Sequence, residues 1–286
     1  MKKKVLTIAV MLVMLATMLP VTAMAATANE KKLNAITAEN FATYDTGLPT
    51  KGKKKSTKAK VNALLGKLPY KPKGSGTSWY SAQLSFYRNN TPYTDLNGNS
   101  QLYSGVYVRK GWSLSKEGST KSYYYSESTP LLSSYEGQNM NTQRSLYLTA
   151  GKKYTNYYWE KGATTGTKQT GKSSGGSSGG KDKRKNFYTY ADQTVLGQKC
   201  MVYSYQEDGM TFYLWVARKT GQTVKRVYVY ADGYSTNIYF ENKKVSKPAS
   251  FYTAPKSVKF TTNSASAAEV AEATIQAEMF NEAIAA

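Results

Sequence analysis

The chain is predicted to be mainly β, with a curved antiparallel sheet of roughly ten strands and helical flanks. Three observations predict it. Short strand-like runs recur from Trp79 onward, Gly and Asn/Asp residues punctuate them, and between Cys200 and Gly233 the side chains alternate with a period of two.

Taken in order, Lys2, Lys3 and Lys4 precede the apolar run Val5 to Leu19, and Ala23-Met24-Ala25 follows. This is the pattern of a secretory signal peptide, residues 1–25, cleaved near Ala25. The apolar run is short for a membrane span of about 20 residues. The expected location is therefore secreted or extracytoplasmic, in the cell envelope.

Residues 26–75 form a basic N-terminal segment with possible short helices. Leu33, Ile36, Phe41 and Tyr44 fit one helical stripe, and Val61, Leu64, Leu65 and Leu68 another. Between them Lys51, Lys53, Lys54, Lys55, Lys58 and Lys60 read either as a solvated arm or as a tether to the envelope.

The β domain spans residues 76–261. Runs at Trp79 to Asn89, Leu102 to Leu114, Tyr123 to Ser126, Arg144 to Ala150 and Tyr154 to Glu160 are its first strands. Residues 171–180, GKSSGGSSGG, read as a flexible loop within it. Asp208-Gly209, Thr220-Gly221 and Asp232-Gly233 then mark successive turns. Residues 262–286 are an Ala/Glu-rich C-terminal helix or tail, with Ser266 and Glu269 placed as a capping box.

Alternation along residues 200–240 sorts side chains onto two faces. Val202, Phe212, Leu214, Val216, Val227, Val229, Ile238 and Phe240 are expected on one, with Tyr203, Tyr205, Tyr213, Trp215, Tyr228, Tyr230 and Tyr239 on the other. Tyrosine is amphipathic, so the second face is either partly covered, a binding surface, or a solvent face built of good strand formers.

The formal charge of +21 falls to +18 once the three signal-peptide lysines are removed. Export makes nucleic acid an unsuitable partner and points to anionic envelope polymers or a membrane surface. The chain has no histidine and one cysteine. The common triads, zinc sites and disulfides are thereby excluded, and Cys200 reads as a small buried hydrophobe. Ser113 and Lys116 match S-x-x-K, but inside a strand pattern rather than at a helix start. Glu160, Glu207 and Asp208 are the carboxylates of the body considered for glycosidase chemistry, and Asp208 belongs to a turn. Asp95 to Asn99 imitates a calcium loop without the distal glutamate. No catalytic residue, metal or cofactor is assigned, and the chain reads as a binding protein.

The order GQKCMVYSY, FYLWVARKTGQTVKRVYVYADGYSTNIYFENKKV and SFYTAPKSVKF resembles the outer-membrane lipoprotein carrier (LolA-like) superfamily. Gly197, Cys200, Trp215, Gly221, Phe251 and Pro255 carry the likeness, which extends over Trp79 to Phe260. Residues 129–142 and 162–186, where that family's lid helices would fall, do not read as helices. The resemblance implies an incomplete β-barrel holding acyl chains in an apolar cavity. The aliphatic set then lines the core or cavity and the tyrosines lie outside, or the reverse. Under the first assignment the ligand-lining candidates are Phe212, Leu214, Val216, Val227, Val229 and Ile238. The expected function is non-catalytic binding of a lipid or other amphiphile. The alternative is a wall-associated module using surface Tyr and Lys to contact polysaccharide, teichoic acid or protein.

Overall fold

The computed structural model describes residues 27–69, 77–95, 97–115, 121–133, 139–172 and 183–263. The expected signal peptide, most of the Gly/Ser tract and the tail beyond Asn263 lie outside the described residues.

The architecture is one curved, unclosed sheet of 13 strands. In chain order they are β1 (Lys54–Lys55), β2 (Thr77–Thr94), β3 (Ser100–Ser115), β4 (Lys121–Ser133), β5 (Gln143–Ala150), β6 (Lys153–Glu160) and β7 (Thr165–Lys172). Then come β8 (Lys185–Val195), β9 (Gln198–Glu207), β10 (Met210–Ala217), β11 (Thr223–Val229), β12 (Gly233–Val245) and β13 (Lys259–Asn263). The spatial order is β1-β8-β9-β10-β11-β12-β2-β3-β4-β5-β6-β7-β13. All pairs are antiparallel except β13 with β7. Two meanders, β2 to β7 and β8 to β12, are thus joined where β12 returns to the free side of β2.

Covalent reach requires the curvature. Strands β7 and β8 follow one another in the chain yet lie ten strand intervals apart. At about 4.8 Å per interval a flat sheet would separate them by about 48 Å. The thirteen residue steps from Lys172 to Lys185 span only about 43–47 Å at full extension.

The turns follow from local chemistry. Asp208 (φ 47°) and Gly209 (φ 85°) make a two-residue hairpin connection, and Leu196 (φ 49°) and Gly197 (φ 76°) make another. Both central residues have positive φ, which suits the right-handed twist of the flanking strands.

That two-residue turn corrects the expected face sorting. Glu207 lies opposite Met210, so Val202 faces Trp215, Tyr203 faces Leu214, and Tyr205 faces Phe212. Directly opposed residues share a face. The first face, face 1, carries Val202, Trp215, Val227, Ile238 and Phe240, with Tyr213 and Val229 packed against them. Face 2 carries Phe212, Leu214 and Val216 together with Met201, Tyr203 and Tyr228. Neither face is purely aliphatic or purely tyrosine.

The N-terminal segment is part of the fold. Helix α1 (Ala28–Asn34) and a 3-10 turn (Phe41–Tyr44) lie on face 1, where Leu33, Ile36 and Phe41 are buried. The expected single stripe is therefore broken, because the chain bends between Ala35 and Asn40. Helix α2 (Lys58–Leu65) covers part of face 2 with Val61, Leu65 and Leu68, and leaves Leu64 exposed. The lysine run is not a detached arm: Lys54 and Lys55 pair with Thr189 and Tyr188 as edge strand β1.

Candidate functional site

Face 1 is apolar along most of the sheet. One cluster runs over β2, β3 and β8 to β12, and a second, centred on Leu114, Leu146 and Trp159, runs over β3 to β6 and reaches Phe260 in β13. Among the described residues its cover is neither a second sheet nor a helical layer. It is two short stretches of the same chain: α1 with the first 3-10 turn over one half, and a second 3-10 turn (Ala249–Tyr252) over the other.

Helix α1 is held at its start. Thr27 and Glu30 form a capping box. The Glu30 carboxylate also accepts from the Tyr80 hydroxyl, and Thr27 Oγ1 donates to Glu241. Burial works against the Glu30 charge, but the bonds from Tyr80 and the Thr27 amide hold its carboxyl below the usual range. Beyond α1, the Phe41 ring sits edge-on to Tyr103 at 4.8 Å and Tyr44 edge-on to Phe240 at 5.5 Å. On the other half Phe251 packs against Trp112 and Tyr125 at 5.7 and 5.3 Å.

Where the segment leaves the 3-10 turn, polar groups anchor it. The Asp45 carboxylate, 4% exposed, accepts from Tyr103 at 2.9 Å and Tyr234 at 3.0 Å. Arg88 Nη1 donates to the Tyr234 hydroxyl at 3.0 Å, and Arg88 Nε stands 3.6 Å from Asp45. Lys225 Nζ donates to Thr46 Oγ1 at 2.8 Å and to the Gly47 carbonyl at 3.1 Å, and lies 4.6 Å from the Trp215 ring centre. Lys225 is 1% exposed, and burial pushes its ammonium down to about 8, with Asp45 partly opposing the shift.

Two clefts remain. One of about 200 Å³ opens beside α1, lined by Leu33, Ile36, Val108 and Leu131 and also by Lys110, Glu127 and Lys161. The other, about 540 Å³, has a polar lining that includes Gln198, Gln222, Glu241 and Lys243. At the sheet edge, Lys51, Lys53, Lys54, Lys55, Lys58 and Lys60 are exposed, and β1 lays the run along β8, which Lys183, Arg184 and Lys185 begin.

The six ligand-lining candidates do not share one surface. Val227, Val229 and Ile238 belong to face 1, whereas Phe212, Leu214 and Val216 lie on face 2 beneath α2. Asp45, Arg88, Tyr103, Tyr234 and Lys225 escaped sequence reasoning. The only local signal was an arginine and a lysine at strand positions that alternation assigns to a buried face. Cys200 is fully buried, and burial raises its thiol to about 11. Asp95 spends its carboxylate on its own loop, accepting from the Asn97 and Asn99 amides at 2.9 Å each. Among the described residues no group of three metal-ligating side chains is placed to hold a metal ion, and no helix is long and apolar enough to cross a membrane.

No family model matches the chain, and no curated protein does. Among solved structures the chain is similar to PNGF-II in the P21 space group, with a TM-score of 0.30 and 9% identity over 70% of this chain and 33% of that one. PNGF-II in the C2 space group gives 0.29 and 9%, over 73% and 32%. MucB in complex with MucA(peri) gives 0.28 and 12%, over 65% and 57%. The chain thus spans about a third of PNGF-II and somewhat over half of MucB. At these scores the likenesses carry no weight for function. The mostly β, open and curved sheet stands on the strand order itself.

Proposed function

We propose that this is an exported, non-catalytic cell-envelope protein that binds a lipid or other amphiphile on face 1, in a LolA-like half-barrel. One observation carries the reading: among the described residues, a long apolar sheet face is covered only by short segments of its own chain, with a cleft left beside α1. Magnitudes make exchange with a ligand feasible. Burying Leu33, Ile36 and Phe41 is worth about 1.5–3 kcal/mol each, hence about 5–9 together. A ten-carbon chain gains about 0.8 kcal/mol per methylene, hence about 8. The two occupants are closely matched.

The lysine edge supports a second reading, a wall-associated module that holds anionic polymers. The run is fixed along β8 by the bonds from Ser56 N to the Phe187 carbonyl and from Ala191 N to the Lys51 carbonyl, 2.8 and 3.1 Å. A fixed array of cations attracts a polyanion, or the headgroups of an anionic membrane, more strongly than a loose arm does.

Native mass spectrometry of the chain from residue 26, purified without detergent and incubated with phosphatidylglycerol vesicles, tests the first reading. After a high-salt wash to strip surface adsorption, one lipid retained per chain is expected. A lipid-free mass at every lipid concentration leaves the polyanion reading in possession.

A further inference from the structure

The Asp45 carboxylate occupies a seat built by the sheet. It is almost wholly buried at the end of an apolar stretch, and it is received by side chains from the middle of the sheet: Tyr103 from β3, Tyr234 from β12 and Arg88 from β2. Lys225, from β11, grips the two residues that follow it. Four residues before Asp45 in the sequence, Phe41 packs between Phe86 and Tyr103, at ring distances of 6.2 and 4.8 Å. An apolar group followed by a carboxylate has the chemical form of an anionic amphiphile tied to the protein.

The fit of this tethered group is incomplete. Arg88 Nε is buried and finds no acceptor, because Asp45 Oδ2 stops 3.6 Å away. Ordinary N–H···O bonds lie at about 2.7–3.2 Å. A buried guanidinium N–H without a partner is costly, so a carboxylate free of the backbone would gain a bond that Asp45 does not make.

We propose that Arg88, Tyr103, Tyr234 and Lys225 form a headgroup site for an anionic, single-chain amphiphile, and that the segment around Phe41 and Asp45 is its built-in competitor. The proposal rests on face 1 being the amphiphile-binding face and adds the charge of the ligand. Binding exchanges one carboxylate for another and one apolar group for another. Arg88, Tyr103 and Tyr234 keep an anionic partner throughout, and the released segment carries Asp45 into water. Lys225 gives up Thr46 and Gly47 and turns to the incoming anion.

Calorimetry on the chain from residue 26 with decanoate and with 1-decanol separates the possibilities, since the two differ only in the head. Decanoate is expected to bind at least about tenfold more tightly, as charge-assisted bonds favour it. Arg88→Gln, at a side chain 37% exposed and so tolerant of change, should bring the two affinities together. Asp45→Asn weakens the competitor and should raise decanoate affinity about fivefold, since a larger share of molecules has the site open. Hydrogen exchange at residues 33–47 should speed up when decanoate is added. Equal binding of both compounds overturns the headgroup site and leaves amphiphile binding on face 1 intact. Binding of neither, including by the Asp45→Asn chain, overturns both. Tight decanoate binding with unchanged protection at residues 33–47 overturns the competition.

Discussion

Lys225 shows what a single buried cation does to this fold. Its folded-state value of about 8 lies below the ordinary 10.5. Between those limits the unfolded chain binds a proton that the folded chain does not, so this group makes stability rise with pH; the contribution fades as pH falls through 8. Relative to Lys225→Met, the unaltered protein should gain about 2 kcal/mol between pH 7 and pH 9.5 in paired urea titrations. Using the difference between two chains cancels the tyrosines, which begin to ionise in the unfolded state at the top of that range. Parallel curves for the two chains would mean that Lys225 keeps its ordinary value.

At the scale of elements, α1 is a seven-residue helix that alone would be too short to persist in water. It exists because Leu33 is buried against face 1 and because Thr27, Glu30 and Tyr80 tie down its first turn. Leu33→Ala should cost about 2–5 kcal/mol in chemical denaturation. If the cover is the removable part, the same variant should bind more of an apolar dye while the far-ultraviolet spectrum stays unchanged. The strands were readable from sequence: the runs beginning at Trp79, Leu102, Arg144 and Tyr154 fall within β2, β3, β5 and β6. The sharing of faces was readable too, had the Asp208-Gly209 pair been used as a ruler, because a two-residue turn fixes Glu207 opposite Met210. The seat of Asp45 was not. It depends on three strands meeting a segment from 43 to 189 positions away in sequence, and no periodicity encodes such a meeting.

For the molecule as a whole, charge and connectivity set the behaviour. If the lysine edge holds anionic surfaces, Lys53, Lys54 and Lys55 all changed to Gln should weaken binding to phosphatidylglycerol vesicles by about 3 kcal/mol, or about a hundredfold. The loss should shrink as salt is raised toward 0.5 M in a sedimentation assay, on the order expected from charge screening. Unchanged binding would place the contact elsewhere. Connectivity acts on time rather than affinity. The central seam joins β2 to β12, with Leu84 opposite Ile238, so the middle of the sheet cannot close until most of the chain exists. Long-range pairing of this kind makes folding slow, on the order of milliseconds to seconds. Until its last third arrives, a nascent chain of this design can build the β2 to β7 meander but must leave the far side of β2 without its partner strand.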